Sequence, residues 1–290
     1  MTEAGTDVKR HPWNQSFDWK IRSGPYRALT EEQADQFDRD GFVVLPDVFD
    51  AETVAEVTAE LDRFEAKMEA FLQTQPDGRA SIAESGAITF TAQLLKRSEL
   101  LRMFATRQVF LDLCQDLVGP DVSMYWDQAV YKKPEKPRRF PWHQDNGYTY
   151  IEPQNYLTCW VAMVDATPEN GCPMVAPGLH RMGTFKHHYV EPLGWECLTD
   201  YEGVAAPVGA GGIVIFSSLT PHLTGPNTTN NVRKAYILQY APTGAMKQLG
   251  DATAGPPTSE EACADPGHQF PVLSGGQPVP RPPREPRSPA

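Results

Sequence analysis

The chain changes character at Gly119-Pro120, and this change limits its fold more than any other feature. Before it, apolar residues recur at three- and four-residue steps, most clearly from Val54 to Phe71, which is the spacing of a helix that buries one face. After it, short apolar or aromatic runs are separated by clusters of Pro, Gly and Asn, as strands joined by turns are. Helices followed by strands, without alternating βαβ units, predict an α+β domain in which helices cover one face of a largely antiparallel double sheet.

The boundaries of several elements can be read from their capping residues. Thr30 and Gln33 form a capping box for a short helix that ends near Gly41, because glycine tolerates the left-handed conformation at a helix end. Asp50 precedes the apolar stripe and is predicted to cap the second helix. Further helices are predicted over residues 94–101 and 109–118, and strands over residues 42–45, 122–131, 157–164, 213–216 and 234–240.

The C-terminal part of the chain differs in composition from the rest. Ten of the 27 prolines lie within residues 251–290. Such a segment is not expected to bury enough apolar surface to order itself. The sequence therefore predicts three parts: an N-terminal arm over residues 1–27, one domain over residues 28–242, and a disordered Pro-rich tail over residues 243–290.

Composition argues against several classes of protein. A net charge of −11 and a pI near 5.1 repel nucleic acids and acidic membrane surfaces, so neither is expected as a partner. No apolar run approaches the length needed to cross a bilayer, and the N-terminus lacks the apolar stretch of a secretory signal. The five cysteines show no CxxC spacing. We expect a cytoplasmic protein whose partner is a small molecule, and the sequence does not indicate an oligomeric state.

Two potential metal ligands lie two residues apart in the segment 141–146, whose sequence is PWHQDN. On an extended backbone, His143 and Asp145 project from the same face. His222 follows the predicted strand over residues 213–216, and loops at strand ends commonly carry function. Two imidazoles and one carboxylate leave open positions on a divalent ion, which suits non-haem Fe(II). A His-x-Asp pair arises easily by chance, so it indicates a metal site only in combination with His222.

A candidate anion-binding residue, Arg233, lies eleven residues after His222 and opens the predicted strand over residues 234–240. A hairpin across the Asn- and Thr-rich turn at residues 227–231 would bring the two side chains close. A guanidinium neutralises a carboxylate well, so Arg233 suits the distal carboxylate of 2-oxoglutarate. Thr224 adds a hydroxyl on the same side of the predicted hairpin. The combination favours a 2-oxoglutarate-dependent oxygenase over other metalloenzymes.

These motifs also resemble those of a known family. In chain order they are DGFVVL at 40–45, HQD at 143–145, LTCWVAMVDATPENGC at 157–172, PGLH at 177–180, and HLTGPN at 222–227, followed by Arg233. Together they resemble the phytanoyl-CoA dioxygenase family of Fe(II)- and 2-oxoglutarate-dependent oxygenases, over roughly residues 28–242. Because several motifs coincide in order, a chance match is improbable.

The resemblance implies a double-stranded β-helix core, of the jelly-roll or cupin-like kind, with flanking N-terminal helices. It also implies roles for nine residues: Fe(II) bound by His143, Asp145 and His222; 2-oxoglutarate held by Arg233 and Thr224, in a pocket lined by Gln144 and Trp160; and Gln128 and Lys133 as further candidates for co-substrate or substrate contact.

The reaction implied by the resemblance is hydroxylation of an aliphatic C–H in a small or lipid-like organic substrate, with O2 consumed and succinate and CO2 released. Desaturation and other oxidative outcomes stay open. Substrate recognition is expected in residues 73–86 and 181–208, where the resemblance fades, whereas the basic cluster over residues 132–139 would suit an acyl-CoA. Two alternatives are a zinc or manganese hydrolase or isomerase on a similar barrel, and a small-molecule binding protein without catalysis.

Overall fold

The computed structural model of the protein describes residues 8–134 and 140–280. Its helices in these ranges are α1 (Glu31–Asp40), α2 (Ala51–Gln73), α3 (Glu99–Ala105), α4 (Gln108–Leu117) and α5 (Asp145–Tyr148). Short 3-10 turns cover Pro76–Gly78, Leu94–Lys96, Pro168–Asn170 and Leu179–Met182. The longer helices therefore all precede Gly119, as the sequence predicts.

The strands form one large antiparallel sheet and several small ones. They are β1 (Phe42–Leu45), β2 (Arg79–Ala80), β3 (Ala83–Glu84), β4 (Ile88–Ala92), β5 (Val122–Lys132), β6 (Ile151–Glu152), β7 (Leu157–Ala162), β8 (Pro173–Val175), β9 (His188–Val190), β10 (Gly194–Glu196), β11 (Val204–Ala205), β12 (Ile213–Ser217), β13 (His222–Thr224), β14 (Arg233–Pro242), β15 (Met246–Leu249), β16 (Ser259–Ala262), β17 (Pro271–Ser274) and β18 (Gln277–Pro278). The large sheet runs in the order β1-β12-β7-β14-β5-β4-β3-β2, and β11-β8-β13 form a smaller sheet. The two together make the expected double-stranded β-helix core.

The central strands of the large sheet bury both faces, each against a different layer. In β7, Leu157, Cys159 and Val161 belong to the core cluster that contains the helices, whereas Trp160 and Ala162 belong to the cluster on the opposite face. Successive side chains of a strand point to opposite faces, so the near-continuous apolar character of β7 follows from burial on both sides. One face carries α1–α4, and the other is available for a cavity.

The predicted start and end of the first helix and the predicted start of the second are confirmed. Thr30 accepts from the backbone N–H of Gln33 while the Gln33 side chain accepts from the Thr30 N–H, and Gly41 has φ = 82°. The Asp50 side chain accepts from the backbone N–H of Thr53. The helix predicted over residues 94–101 is instead a 3-10 turn followed by α3, because Ser98 caps a new helix in the middle of that range.

The structure corrects the expected disordered tail for residues 243–280. These residues form four of the strands, and β17 pairs with β5. Phe270, Val272 and Leu273 are each about 1% exposed and belong to the main core cluster. A composition averaged over forty residues conceals this short apolar segment, and Pro271 is compatible with it because it is the first residue of its strand. Residues 281–290 of the predicted tail lie outside the described part of the chain.

The predicted hairpin between His222 and Arg233 is wrong. β13 pairs with β8 in the small sheet, whereas β14 pairs with β5 and β7 in the large sheet. The connection between them crosses from one sheet to the other and is held by Asn227, whose side chain donates to the backbone carbonyls of Lys132 and Asn231 at 2.8 and 2.7 Å. His222 and Arg233 thus reach one cavity from two sheets.

The N-terminal arm packs on the domain from residue 8 onward. Arg22 forms an ion pair of 2.8 Å with Asp38 of α1, and the Trp19 ring stands edge-on to His180 at 4.3 Å between centroids. The first contact ties the arm to α1, and the second ties it to the 3-10 turn Leu179–Met182. Within the described residues, no helix has the length and apolar character required to span a bilayer.

Candidate active site

A cavity of about 540 Å³ contains most of the side chains that the sequence analysis singled out. One wall comes from β4, β5, β7 and β14 of the large sheet, and another from β8 and β13 of the small sheet. Concave, mostly apolar sites of this size with a few converging polar groups are typical of ligand-binding pockets. The fold therefore provides a pocket in the interior of the β-helix.

His143, Asp145 and His222 meet at one end of this cavity. The backbones of His143 and His222 form a two-way bridge, with N···O distances of 3.0 and 2.8 Å, and their ring centroids are 4.3 Å apart. Asp145 follows as the first residue of α5, and one of its oxygens lies 3.8 Å from Nε2 of His222. One ligand atom from each of the three residues lies within 4.8 Å of the others. The structure thus brings together the three predicted ligands.

Both imidazoles have the protonation state that a metal ligand requires. Nδ1 of His143 lies 3.0 Å from the Pro141 carbonyl oxygen, and Nδ1 of His222 lies 3.0 Å from that of Thr220. A carbonyl only accepts, so each Nδ1 carries the proton and each Nε2 keeps its lone pair. Burial lowers the pKa of His143 to about 3 and that of His222 to about 4, so both rings are neutral at pH 7.

The Asp145 carboxylate is oriented by neighbours from the large sheet. The Thr158 hydroxyl donates to Oδ2 of Asp145 at 2.6 Å, and the Gln239 amide donates to the Thr158 hydroxyl oxygen at 3.3 Å. Burial raises the pKa of Asp145, while the nearby His143 and the hydrogen bonds from Thr158 and Gln239 oppose that rise. Hydrogen bonds that orient metal ligands from behind are a regular part of metal sites. This arrangement therefore fits a ligand role for Asp145.

Arg233 is a buried cation without a counter-ion at hydrogen-bonding distance among the described residues. Its side chain is 0% exposed, and its Nη1 donates to the Val130 carbonyl at 3.3 Å. Nε and Nη2 have no partner in the described part of the protein. Burial lowers the pKa of Arg233 to about 10, so it stays charged at pH 7. Since buried charges are normally paired, the guanidinium is suited to an anion that enters the cavity.

Thr224, Trp160 and Gln128 also line the cavity. The Arg233 guanidinium lies over the Trp160 ring, 5.2 Å from its centroid. Lys132 reaches Thr224 from outside the cavity and donates to its carbonyl and hydroxyl oxygens at 3.3 and 3.4 Å. These contacts place the expected co-substrate residues around the same space.

Gln144 and Lys133 do not line the cavity, which corrects their expected contact with the co-substrate. Gln144 is 0% exposed, donates to the carbonyls of Gly183 and Leu219, and accepts from the N–H of Phe185. It follows that its side chain points away from Asp145 and braces the loops behind the site, as alternation along an extended backbone requires. Lys133 pairs with Glu65 and Glu69 of α2 at 3.1 and 2.7 Å, so it joins β5 to the helix layer.

Several cavity residues were missed by the sequence analysis. Thr158 and Gln239 are polar residues inside otherwise apolar strands, and that interruption is the signal that could have identified them. Met68 and Phe71 were assigned to the core-facing stripe of α2, but they line the cavity, and Phe71 is 49% exposed. Tyr148, in α5, stands edge-on to His143 at 5.1 Å between ring centroids.

The two segments expected to recognise substrate differ in their placement. Residues 80–83, within the predicted stretch 73–86, line the cavity. None of residues 181–208, all of which are described, is among the lining side chains. Of the predicted basic cluster, Lys132 and Lys133 lie outside the lining and residues 136, 138 and 139 are not described. Of the two segments, the one before β4 is therefore the one that faces the cavity.

Comparisons with known proteins agree with this site. The family model described as Phytanoyl-CoA dioxygenase (PhyH) matches residues 37–235. The methylphosphonate hydroxylase of Gimesia maris is 30% identical over 228 residues, covering 73% of this chain and 80% of that protein. The peroxisomal phytanoyl-CoA dioxygenase of Homo sapiens is 26% identical over 256 residues, covering 80% and 72%.

A solved structure shares the fold. The non-heme alpha-ketoglutarate-dependent carbocyclase SnoK from nogalamycin biosynthesis superimposes with a TM-score of 0.65 at 21% identity, covering 82% of this chain and 96% of that one. At this identity the likeness concerns the fold alone. The assignment to a family rests on the family model, which matches residues 37–235, more than half of the chain. This chain belongs to the phytanoyl-CoA dioxygenase family, a family of Fe(II)- and 2-oxoglutarate-dependent oxygenases.

Proposed function

We propose that the protein uses Fe(II), 2-oxoglutarate and O2 to hydroxylate an aliphatic C–H of a small organic substrate. The proposal rests on one observation: a single cavity contains two groups of side chains. One group is two histidines and a carboxylate, and the other is a buried arginine with two nitrogens that have no partner among the described residues. The first group suits non-haem Fe(II). The second suits the distal carboxylate of a 2-oxo acid.

When bound, Fe(II) and 2-oxoglutarate supply the oxidation, in which O2 is reduced, 2-oxoglutarate gives succinate and CO2, and one oxygen atom is inserted into the substrate C–H. The residues of the chain position these groups. His143 and His222 each offer a neutral Nε2, held in place by the bond from Nδ1 to a backbone carbonyl. Asp145 offers the anionic donor, with its carboxylate oriented by Thr158.

Arg233 and the cavity walls complete the proposed site. Arg233 is assigned to the distal carboxylate, with the hydroxyl of Thr224, which lines the same cavity, as a second donor. Trp160, under the guanidinium, limits the directions in which Arg233 can move. Because the walls are largely apolar, bound substrate displaces water, which protects the oxidation from side reactions. This chemistry requires no nucleophile or general acid from a side chain.

The proposed compartment is the cytoplasm, and the proposed partner is a small-molecule substrate. All five cysteines are free, and Cys114, Cys159 and Cys172 are buried. Free thiols suit a reducing compartment. The net charge of −11 argues against nucleic acid as a partner.

The proposal is tested by adding Fe(II) and 2-oxoglutarate under nitrogen and recording the visible absorption. A weak charge-transfer band that needs both additions is expected, followed in air by succinate release. A zinc or manganese hydrolase would give neither signal. His143→Ala should abolish the band and lower the bound iron measured by equilibrium dialysis.

The matched control is His188→Ala. This histidine belongs to β9, has a side chain that is 60% exposed, and does not line the cavity. It should bind iron and give the band like the wild type. The proposal is wrong if His143→Ala and His188→Ala retain iron equally.

A further inference from the structure

The outer wall of the cavity differs from the metal-binding end. We use the term outer wall for Met68 and Phe71 at the end of α2 together with Ala80, Ser81 and Ile82 of the β2–β3 hairpin, all of which line the cavity. These residues are half-buried or exposed, with Phe71 at 49%. Exposed apolar side chains on the rim of a pocket commonly mark a ligand-binding surface. The outer wall is thus the place where a substrate would meet the protein first.

Among the described residues, the charges of the cavity leave no counter-ion for a substrate. Among the lining side chains in the described ranges, Asp145 is the one carboxylate and Arg233 the one guanidinium, and His143 and His222 lie with Asp145 in the proposed iron site. Under the proposed function, Asp145 is used by the iron and Arg233 by 2-oxoglutarate. Lys133, at the end of β5, is already paired with Glu65 and Glu69. An ionised substrate would therefore lose its hydration without gaining an ion pair from any of the described lining residues, which is costly.

The remaining lining is rich in aromatic rings. Phe90 and Phe140 lie 6.3 Å apart between ring centroids, and Phe140 and Tyr148 each stand edge-on to the His143 ring, at 5.6 and 5.1 Å. Trp126 lines the same cavity from β5. Aromatic rings pair with other rings by offset stacking or edge-to-face contact, beyond the gain from burying apolar area. A cavity of about 540 Å³ is also within the range that holds a drug-sized molecule.

We propose that the substrate is an uncharged, ring-bearing apolar molecule, and that the outer wall formed by the end of α2 and the β2–β3 hairpin selects it. This inference rests on the proposed function, because that function assigns Asp145 and Arg233 to other ligands. Phe71 and Ile82 are then specificity-determining residues. Gln128 of β5, a half-buried residue elsewhere in the cavity lining, offers an amide to a hydroxyl or carbonyl group of the ring system.

A pair of fluorescent dyes with the same ring skeleton tests the charge preference. N-phenyl-1-naphthylamine is uncharged, and 8-anilino-1-naphthalenesulfonate carries one sulfonate on that skeleton. Each is titrated under nitrogen into the protein loaded with Fe(II) and 2-oxoglutarate, with dye fluorescence as the readout. The uncharged dye is expected to bind at least tenfold more tightly. Equal or tighter binding of the sulfonated dye would overturn the proposal.

Two lysine variants locate the binding at the outer wall. Ile82→Lys puts a cation into the wall, so the uncharged dye should bind at least fivefold more weakly and the sulfonated dye more tightly. Ile21→Lys is the matched control, because Ile21 is 74% exposed and outside the cavity. It should leave both affinities unchanged. If Ile82→Lys behaves like Ile21→Lys, the outer wall does not select the ligand.

Phe71→Ala provides a second, milder variant in case Ile82→Lys fails to fold. It removes a half-exposed ring without adding charge and should weaken binding of the uncharged dye about threefold or more. An unchanged affinity would count against the outer wall. Preference for the uncharged dye without the charge-transfer band of Fe(II) and 2-oxoglutarate would contradict the proposed function. The band together with preference for the sulfonated dye would contradict only the inference about the substrate.

Discussion

Replacing Arg233 by methionine should separate ligand binding from stability. The guanidinium is fully buried and makes one hydrogen bond of 3.3 Å, to the Val130 carbonyl, while Nε and Nη2 are unpartnered in the described structure. A buried charge with unpartnered nitrogens lowers the stability of the ligand-free protein. We therefore expect Arg233→Met to weaken 2-oxoglutarate binding strongly while the ligand-free protein keeps its stability.

The size of the effect follows from the two unpartnered nitrogens. A hydrogen bond to a charged group contributes about 1.5–3 kcal/mol, so two of them correspond to about 3–6 kcal/mol. Since about 1.4 kcal/mol changes an equilibrium constant tenfold, the Kd for 2-oxoglutarate should rise about a hundredfold to ten-thousandfold. Replacing a poorly paired buried charge by an apolar side chain of similar volume is often neutral or stabilising. The Tm of the ligand-free variant should therefore be unchanged or higher.

Anaerobic calorimetry with Fe(II) present measures the Kd, and thermal unfolding measures the stability. The matched control is Arg102→Met, which alters a second buried arginine at 1% exposure. Arg102 donates to the Gly267 carbonyl at 3.0 Å and lies over the Phe270 ring at 4.5 Å. This control should lose stability without losing affinity for 2-oxoglutarate. The reasoning is refuted if Arg233→Met unfolds at a clearly lower temperature and still binds 2-oxoglutarate like the wild type.

Three further predictions concern the support of the site and the core. Thr158→Val removes the hydroxyl that orients Asp145, so Fe(II) binding measured by equilibrium dialysis should weaken about 10–100-fold. The control is Thr91→Val, because the buried Thr91 hydroxyl has no partner among the described residues. This control should leave Fe(II) binding unchanged. Phe270→Ala should lower the free energy of unfolding in urea by about 3–5 kcal/mol, and a loss below about 1 kcal/mol would mean that the C-terminal segment is not part of the core. Burial raises the pKa of the Asp127 carboxyl from 3.8 to about 6, so the folded protein favours the protonated form of this side chain. The stability that comes from the protonated carboxyl is present below pH 3.8 and is lost as the pH rises through 6. Between pH 4.5 and 7, the free energy of unfolding of Asp127→Asn should therefore fall less than that of the wild type. An equal fall would contradict the raised pKa of Asp127.

The sequence predicted the parts of the fold that depend on local signals. The capping box at Thr30 and the left-handed Gly41 act within a few residues of chain, so their positions could be read directly. The order of helices and strands was likewise visible. The pairing of β13 with β8 was not, because strand pairing depends on contacts between distant segments, and adjacency in sequence wrongly suggested a hairpin with β14.

The candidate site was predictable in its residue types and less so in its orientations. His143, Asp145 and His222 are identified by type and spacing, and the structure brings them together. Gln144 shares their segment but faces the opposite way, since alternation along an extended backbone turns it toward the supporting loops. Phe71 follows the same spacing of apolar residues as the core-facing side chains of α2, but the end of this helix lies beside the cavity. Periodicity identifies an apolar face, but only packing shows whether that face meets core or ligand.

The central claim is that one cavity holds iron at the triad and a 2-oxo acid on Arg233. A crystal structure of the protein with Fe(II) and 2-oxoglutarate, grown under nitrogen and measured at the iron absorption edge, tests it most directly. We expect one anomalous peak bonded to Nε2 of His143, a carboxylate oxygen of Asp145 and Nε2 of His222, with the distal carboxylate of 2-oxoglutarate on Nε and Nη2 of Arg233. An anomalous peak at other side chains, or a 2-oxoglutarate carboxylate that leaves Arg233 unpaired, would contradict the proposed site.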